Sequence, residues 1–248
     1  MTIENPLLSA QDLSKHFGGL QAVRGVTLAI ARGAIHGLIG PNGAGKSTLA
    51  NLLSGVLQPS SGRVVLQGHD MTGQPPERFA RRGLQRSYQH TNIFMPFTVW
   101  ENARLAAQAP RAHALWRVAE RDERVNERAR RSLERTGLMG RAAEPAAALS
   151  HGEQRQLEIA MTLATEPDVL LLDEPLAGMG GPESERMVGL LSDLRKDHAI
   201  LLIEHDMDAV FALADQLTVM VDGAVIASGS PDDIRADRSV QAAYLGES

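Results

Sequence analysis

The chain has 248 residues, 43% hydrophobic and 22% charged, enough to bury a core, with no low-complexity tract and no depletion of apolar residues that would signal disorder. Lys and Arg total 25 against 30 Asp and Glu, and the formal net charge of −5 argues against phosphate-backbone binding as the main task and so against nucleic acid as a partner. Zero cysteines exclude disulfides, thiolate metal sites and a cysteine nucleophile, and fit a reducing compartment.

The N-terminal stretch carries Glu4 and no apolar run, so neither a secretory signal nor a membrane anchor is expected there. The longest apolar runs, 169–172 and 199–203, fall far short of the roughly 20 residues that a transmembrane helix needs. Alternating apolar residues at 7–13 and 21–30, the Arg32-Gly33 turn and the apolar run 34–39 predict short opening strands. Residues 40–45 read as a glycine-rich loop, 46–57 as a helix stopped by Pro59 and the Ser60-Ser61-Gly62 turn, and 63–67 as a strand. The segment 85–89 then leads into Phe94, Phe97 and Trp100, which carry much of the sparse aromatic content. From about 99 to 137 the pattern is helical and Arg/Glu-rich, interrupted at Pro110, and predicts a helical subdomain inserted into an α/β core. Helical periodicity resumes over 151–164, followed by a buried strand at 169–172, a helix at 183–194 and a second buried strand at 199–203, the βαβ alternation of a parallel sheet. A hairpin over 217–227 with Asp222-Gly223 at its turn and a short helical tail close the chain, which has no internal repeat.

Gly40-Pro41-Asn42-Gly43-Ala44-Gly45-Lys46-Ser47-Thr48 fits G-x-x-x-x-G-K-[ST] and lies between a predicted strand and a predicted helix, the context of a phosphate-binding P-loop. Its glycines let backbone N–H groups wrap the phosphates and the helix N-terminus adds partial positive charge. Lys46 would neutralise β- and γ-oxygens while Ser47 holds Mg²⁺. The run 169–172 ends in Asp173-Glu174, which puts Asp173 at the C-terminal edge of a parallel sheet, within reach of the Mg²⁺ shell. Glu174 is then the group to accept a hydrogen bond from an attacking water. The second buried strand ends in Glu204-His205-Asp206, and His205 is either structural or placed to bond a γ-phosphate and sense its loss. Leu149-Ser150-His151-Gly152-Glu153-Gln154 opens the helix at 151, with Ser150 and Glu153 forming an S-x-x-E capping box. A capped N-terminus with a serine and a glycine is also an anion site, and since one P-loop has no need of a second, it points to a phosphate presented by another subunit. Gln89 reads equally as a contact to Mg²⁺ or water and as a lead-in to the helical insert. Phe17, read as a turn residue, is either core or a ring on which adenine stacks.

P-loop 40–48, Gln89, LSHGEQ at 149–154, VLLLDE at 169–174 and His205 resemble, in order and spacing, the P-loop, Q-loop, signature, Walker B strand and switch histidine of ABC transporter ATP-binding subunits. A narrower resemblance is to the ATPases of branched-chain amino acid uptake systems. It rests on Phe17-Gly18-Gly19-Leu20, Gln85-Arg86-Ser87-Tyr88-Gln89, Gln156-Leu157-Glu158-Ile159-Ala160, Asp173-Glu174-Pro175-Leu176-Ala177-Gly178-Met179, Glu204-His205-Asp206-Met207 and the ending Ala243-Tyr244-Leu245-Gly246-Glu247. The insert between Gln89 and the signature makes the chain more similar to the longer, LivG-type ATPase of such systems.

The resemblance implies an α/β ABC ATPase fold: a P-loop NTPase core with a mixed or parallel sheet and a small antiparallel β-subdomain at about 1–90 and 165–248, and an inserted helical subdomain at about 91–164 that includes the signature helix. It implies that Phe17 stacks on adenine, that Glu174 is the catalytic glutamate, and that Ser47, Gln89 and Asp173 hold Mg²⁺. Ser150, Gly152 and Glu153 would bind the nucleotide of the opposite subunit, identical or related, so that two ATP molecules are sandwiched between two chains. The segment 89–101 resembles the surface that receives the coupling helices of transmembrane permease subunits, and reads equally as a small satellite core. An importer ATPase of this kind sits peripherally at the cytoplasmic face of the inner membrane and works with a solute-binding protein. Its cargo would be branched-chain or related amino acids, with urea or an amide as the alternative. A P-loop kinase would leave the signature and His205 unexplained, and a non-transport ABC protein would be expected to bring long coiled coils or a second cassette. Two departures stand out: His151 and Glu153 replace the middle Gly and final Gln of the commonest LSGGQ, leaving Ser150 and Gly152 in place, and Gly180 stands where the loop after Walker B usually carries an Asp. The second bears on the usual inter-subunit bond from that loop, not on the fold or the ATP site.

Overall fold

The computed structural model describes residues 5–87, 92–109 and 122–245. In chain order, β1 (Leu8–Phe17), β2 (Leu20–Ile30), β3 (Ile35–Ile39), α1 (Lys46–Leu53), β4 (Ser61–Leu66), β5 (His69–Asp70), α2 (Pro76–Arg81) and β6 (Leu84–Arg86) come first. After them come α3 (Val99–Gln108), α4 (Glu123–Arg135), α5 (His151–Leu163), β7 (Val169–Asp173), α6 (Gly181–Leu194), β8 (Ala199–Ile203), α7 (Met207–Leu213), β9 (Gln216–Val221), β10 (Ala224–Gly229), α8 (Pro231–Ala236) and α9 (Arg238–Leu245). The chain divides into two units, one formed by Met1–Arg86, Asp168–Glu174 and Ser192–Ser248, the other by Ser87–Pro167 and Pro175–Leu191.

The first unit holds two sheets. One is antiparallel in the order β2-β1-β4-β5; the other runs β10-β9-β3-β8-β7-β6 and is parallel except at the β9–β10 hairpin. Strands β3, β7 and β8 are buried at every position, which is why they read as continuous apolar runs, whereas β2 buries Val26, Leu28 and Ile30 and turns Thr27 outward. Leu13 and Val26 of the antiparallel sheet share one apolar cluster with Leu49, Leu53, Leu171 and Leu201. In the second unit α3, α4 and α5 meet at Val99, Ala103, Val125, Leu133, Leu157 and Ala160, where the alanines keep the helices close. Among the described residues no helix is long and apolar enough to cross a membrane.

Four local features differ from the sequence expectation. Helix α1 ends at Leu53, short of residue 57, because Gly55 takes φ +76 and a Cβ there would lie 2.6 Å from the Gln74 carbonyl oxygen; the left-handed glycine stops the helix before Pro59 can. Helix α2 was not anticipated, although a proline in its first turn and buried Phe79 define it. Helix α7 was also missed; the Asp206 side chain caps it by accepting from the Ala209 N–H at 3.2 Å. Phe17 is the last residue of β1, facing Leu20 across a Gly18-Gly19 turn, rather than a turn residue ahead of the strand pair.

Within β3, His36 is only 5% exposed, its Nε2 lies 2.8 Å from Thr218 Oγ1 on β9, and that oxygen is 3.1 Å from Ser228 Oγ on β10. Burial pushes its imidazole from 6.5 down to about 4, opposed by a backbone hydrogen bond involving Ala29. The unfolded chain therefore takes up a proton near pH 6.5 that the folded chain refuses until about pH 4. The contribution to stability is complete above 6.5 and declines by about 3 kcal/mol as the pH falls through that window. His36→Gln is expected to flatten the pH dependence of the denaturant midpoint in this range; an unchanged slope would contradict the assignment.

Candidate functional site

The P-loop joins β3 to α1. Gly45, at φ +99, precedes the helix, and a Cβ on it would lie 2.4 Å from the Ala22 carbonyl oxygen, so only glycine lets the loop pass so close to the start of β2. The β9–β10 turn braces the loop from outside: the Gly223 N–H donates to the Ala44 carbonyl at 3.0 Å, the Arg24 N–H donates to the Gly223 carbonyl at 2.7 Å, and the Arg24 guanidinium donates to the Asp222 carbonyl. Gly40 and Ala44 are buried, Pro41, Gly45, Lys46 and Thr48 are partly buried, and Asn42, Gly43 and Ser47 are exposed. Lys46 opens α1 and its Nζ donates to the carbonyls of Gly40 at 2.6 Å and Pro41 at 3.0 Å. Burial holds its ammonium below the usual lysine range, and the nearby carboxylates of Glu174 and Asp173 oppose that fall.

Asp173 ends β7 and is buried. Arg86, at the end of β6, donates Nη2 to Asp173 Oδ2 at 2.9 Å and Nη1 to Asn51 Oδ1 on α1 at 2.5 Å, and the Arg86 and Asp173 side chains are 7% and 8% exposed. One guanidinium thus ties β6, β7 and the P-loop helix together. Glu174 follows in the left-handed region at φ +52, with its N–H donating to the Ile203 carbonyl at 2.8 Å at the end of β8. For a residue bearing a Cβ this conformation costs about 1–2 kcal/mol, the kind of local strain found at functional positions. His205 Nδ1 lies 3.9 Å from Glu174 Oε1 and 3.8 Å from Glu204 Oε2, too far for hydrogen bonds, and the His205 side chain is 64% exposed. Lys46, Asp173, Glu174 and His205 therefore gather where β3, β7 and β8 end, the edge at which parallel sheets bind ligands. Phe17 is 46% exposed and Lys15 Nζ stands 5.1 Å over its ring.

The Ser47 hydroxyl and the Asp173 carboxylate are hard oxygen donors, and among the described residues no group of three His, Cys, Asp or Glu could hold a metal. Such a sparse oxygen set fits a hard divalent cation such as Mg²⁺, which keeps waters and shares substrate phosphates. Gln89 lies outside the described residues. Arg86 had no assigned role in the sequence; its signal is an arginine inside a short strand leading to Gln89.

In the second unit, Ser150 caps α5 through the expected capping box. Glu153 Oε2 accepts from the Ser150 N–H at 2.8 Å and Oε1 accepts from Arg141 Nη1 at 2.6 Å. Burial would raise the Glu153 carboxyl, but these donors together hold it below the usual carboxylate range. Glu in place of Gln is thus matched by a cation in Arg141. Ser150 Oγ accepts from the Glu153 N–H at 3.3 Å and donates to Glu183 Oε1 at 3.0 Å. A Cβ on Gly152 would lie 2.8 Å from Glu183 Cδ, and His151 Nε2 faces the Ala177 carbonyl at 3.3 Å. Glu183 was not singled out by the sequence. The Gly180 carbonyl accepts from the N–H groups of Glu183 and Ser184, and a Cβ at 180 would meet nothing within 4 Å. The aromatic group divides: Phe94 and Phe97 stack at 5.3 Å and are exposed, while Trp100 packs on the α3–α5 cluster.

The family model for ABC transporters matches residues 23–177, and the model for branched-chain amino acid ATP-binding cassette transporters matches residues 224–248. The chain is 39% identical to the high-affinity branched-chain amino acid transport ATP-binding protein LivG of Escherichia coli K12, over 99% of this chain and 100% of that protein. It is 38% identical to BraF, described in the same terms, of Pseudomonas aeruginosa, over 99% and 100%. Among solved structures, the ADP conformation of an ATP-binding cassette of an ABC transporter matches with a TM-score of 0.87 at 29% identity, covering 97% of this chain and 99% of that one. A nucleotide-free cassette from an ABC transporter matches at 0.86 with 30% identity, covering 96% and 98%.

Proposed function

The chain belongs to the ABC transporter ATP-binding family, and from that premise we propose that it hydrolyses ATP to energise uptake of branched-chain amino acids through partner permease subunits. The observation that carries the catalytic part is the gathering of Lys46, Asp173, Glu174 and His205 at one sheet edge. ATP lays its phosphates on the backbone N–H groups of residues 40–48, Lys46 turns from the Gly40 and Pro41 carbonyls to the β- and γ-oxygens, and Phe17 stacks on adenine. Ser47, Asp173 and Gln89 would hold Mg²⁺, which would supply further neutralisation of the phosphate charge. Glu174 accepts a hydrogen bond from water, whose oxygen bonds the γ-phosphorus as the bond to the β–γ bridging oxygen breaks; ADP leaves with that electron pair and the water proton ends on phosphate. His205 bonds the γ-phosphate and responds to its departure.

The core at about 1–90 and 165–248 holds one ATP, while the helical subdomain at about 91–164 offers Ser150, Gly152 and Glu153 to the ATP of a facing chain, identical or related. Glu153 acts by fixing Ser150, since its carboxylate is engaged by the Ser150 N–H and Arg141. The exposed Phe94 and Phe97 give the permease an apolar surface. The permease in turn holds the chain at the cytoplasmic face of the inner membrane, and a solute-binding protein delivers cargo from the other side. In cells carrying this chain with its permease genes, Glu174→Gln is expected to abolish accumulation of labelled leucine, isoleucine and valine and to leave urea uptake unchanged. Loss of urea or amide uptake with leucine uptake intact would move the cargo to that alternative.

A further inference from the structure

Resting on the ATP-sandwich reading, we propose that Glu183 is a built-in occupant of the signature's phosphate site, and that its carboxylate must leave Ser150 and Gly152 before the γ-phosphate of a facing chain's ATP can bind. Glu183 thereby sets the ATP concentration at which two chains pair.

Proton count makes the two states exclusive. The Ser150 hydroxyl has one proton, and it is donated to Glu183 Oε1 at 3.0 Å, while its oxygen already accepts from the Glu153 N–H. A γ-phosphate oxygen offers only acceptors there, so it binds Ser150 only by taking the same proton. Space gives the same answer, because the Glu183 carboxylate is packed so close over Gly152 that a Cβ would lie 2.8 Å from Cδ and 2.9 Å from Oε1. A phosphate brought to the same helix end would meet a carboxylate head-on, two anions competing for one positive helix terminus.

The arrangement is held at two points. At its other end, the loop that leads to α6 is fastened where His151 Nε2 meets the Ala177 carbonyl at 3.3 Å, and His151 is one of the residues by which this signature departs from LSGGQ. Between the two points, Gly180 has no neighbour within 4 Å of a Cβ position, and Glu183 is partly exposed, so its side chain can swing into water without moving the backbone of α6.

The test titrates ATP against light scattering in the Glu174→Gln chain, with Glu183 native, changed to Ala, or changed to Gln. Alanine removes the charge and the acceptor; glutamine removes the charge and keeps an acceptor for Ser150. The expected result is a midpoint for association about tenfold lower in ATP for Glu183→Ala, with Glu183→Gln between the two, while binding of a fluorescent ATP analogue to single chains and the thermal midpoint stay the same. An unchanged midpoint in both variants overturns the proposal, and a raised one overturns it in favour of Glu183 as a brace for Ser150. Association of the Glu183-native chain in ATP upholds pairing between two copies whichever way the Glu183 variants move. Absence of association in all three chains at every ATP concentration overturns pairing between two copies of this chain, and the gate with it.

Discussion

Glu174→Gln is expected to bind ATP as the native chain does and to release phosphate about 10²–10⁴-fold more slowly, the loss typical of removing a positioned general base. Glutamine has the size and shape of glutamate and leaves the N–H bond to the Ile203 carbonyl in place, so neither the end of β7 nor the φ +52 turn has reason to move. What disappears is the anionic oxygen that accepts a proton from water. The same change removes the larger of the two carboxylate influences on Lys46 and one negative charge beside the γ-phosphate, two effects on ATP affinity of opposite sign. Phosphate release and nucleotide binding measured on the same sample check this, and hydrolysis within a few-fold of the native rate would place the base elsewhere.

Arg86→Met carries the second large effect, a loss of about 3–5 kcal/mol in folding stability together with the loss of hydrolysis. The change takes the guanidinium at 2.9 Å away from the buried Asp173 carboxylate, and it cuts the tie from β6 to Asn51 on α1. Burial makes the difference, because the exposed Arg32–Asp168 pair of the same unit is screened by water, and Arg32→Met is expected to cost under about 1 kcal/mol. Adding Asp173→Leu to Arg86→Met should restore much of the stability and none of the hydrolysis, since the buried charge goes but the acid does not return. Denaturant unfolding of these variants separates the two contributions; a cost for Arg86→Met no larger than that for Arg32→Met would contradict the buried-pair argument.

The P-loop and the acid-tipped strand were legible in the sequence because each is a local pattern, glycines at fixed spacing before Lys46 and an apolar run ending in Asp173-Glu174. The capping box at Ser150 and Glu153 was legible for the same reason and is formed as read. Arg86 on Asp173 and Glu183 on Ser150 were not, because they join residues 87 and 33 positions apart, and only the pairing of β6 with β7 and the placement of the first turn of α6 bring them together. Helix α7 was hidden by its cap: Asp206 reads as part of an acidic strand end until its side chain is seen to accept from the Ala209 N–H. The end of α1 shows the reverse error, with Pro59 given the weight that belongs to Gly55.

Whether one chain's P-loop and another's signature share an ATP is read by light scattering on Glu174→Gln in Mg²⁺-ATP, in Mg²⁺-ADP, and again with Ser150→Arg added. Pairs in ATP alone, abolished by Ser150→Arg, are the predicted result. A chain that stays single in saturating ATP, or that pairs as well with Ser150→Arg as without it, would contradict a site shared between two copies.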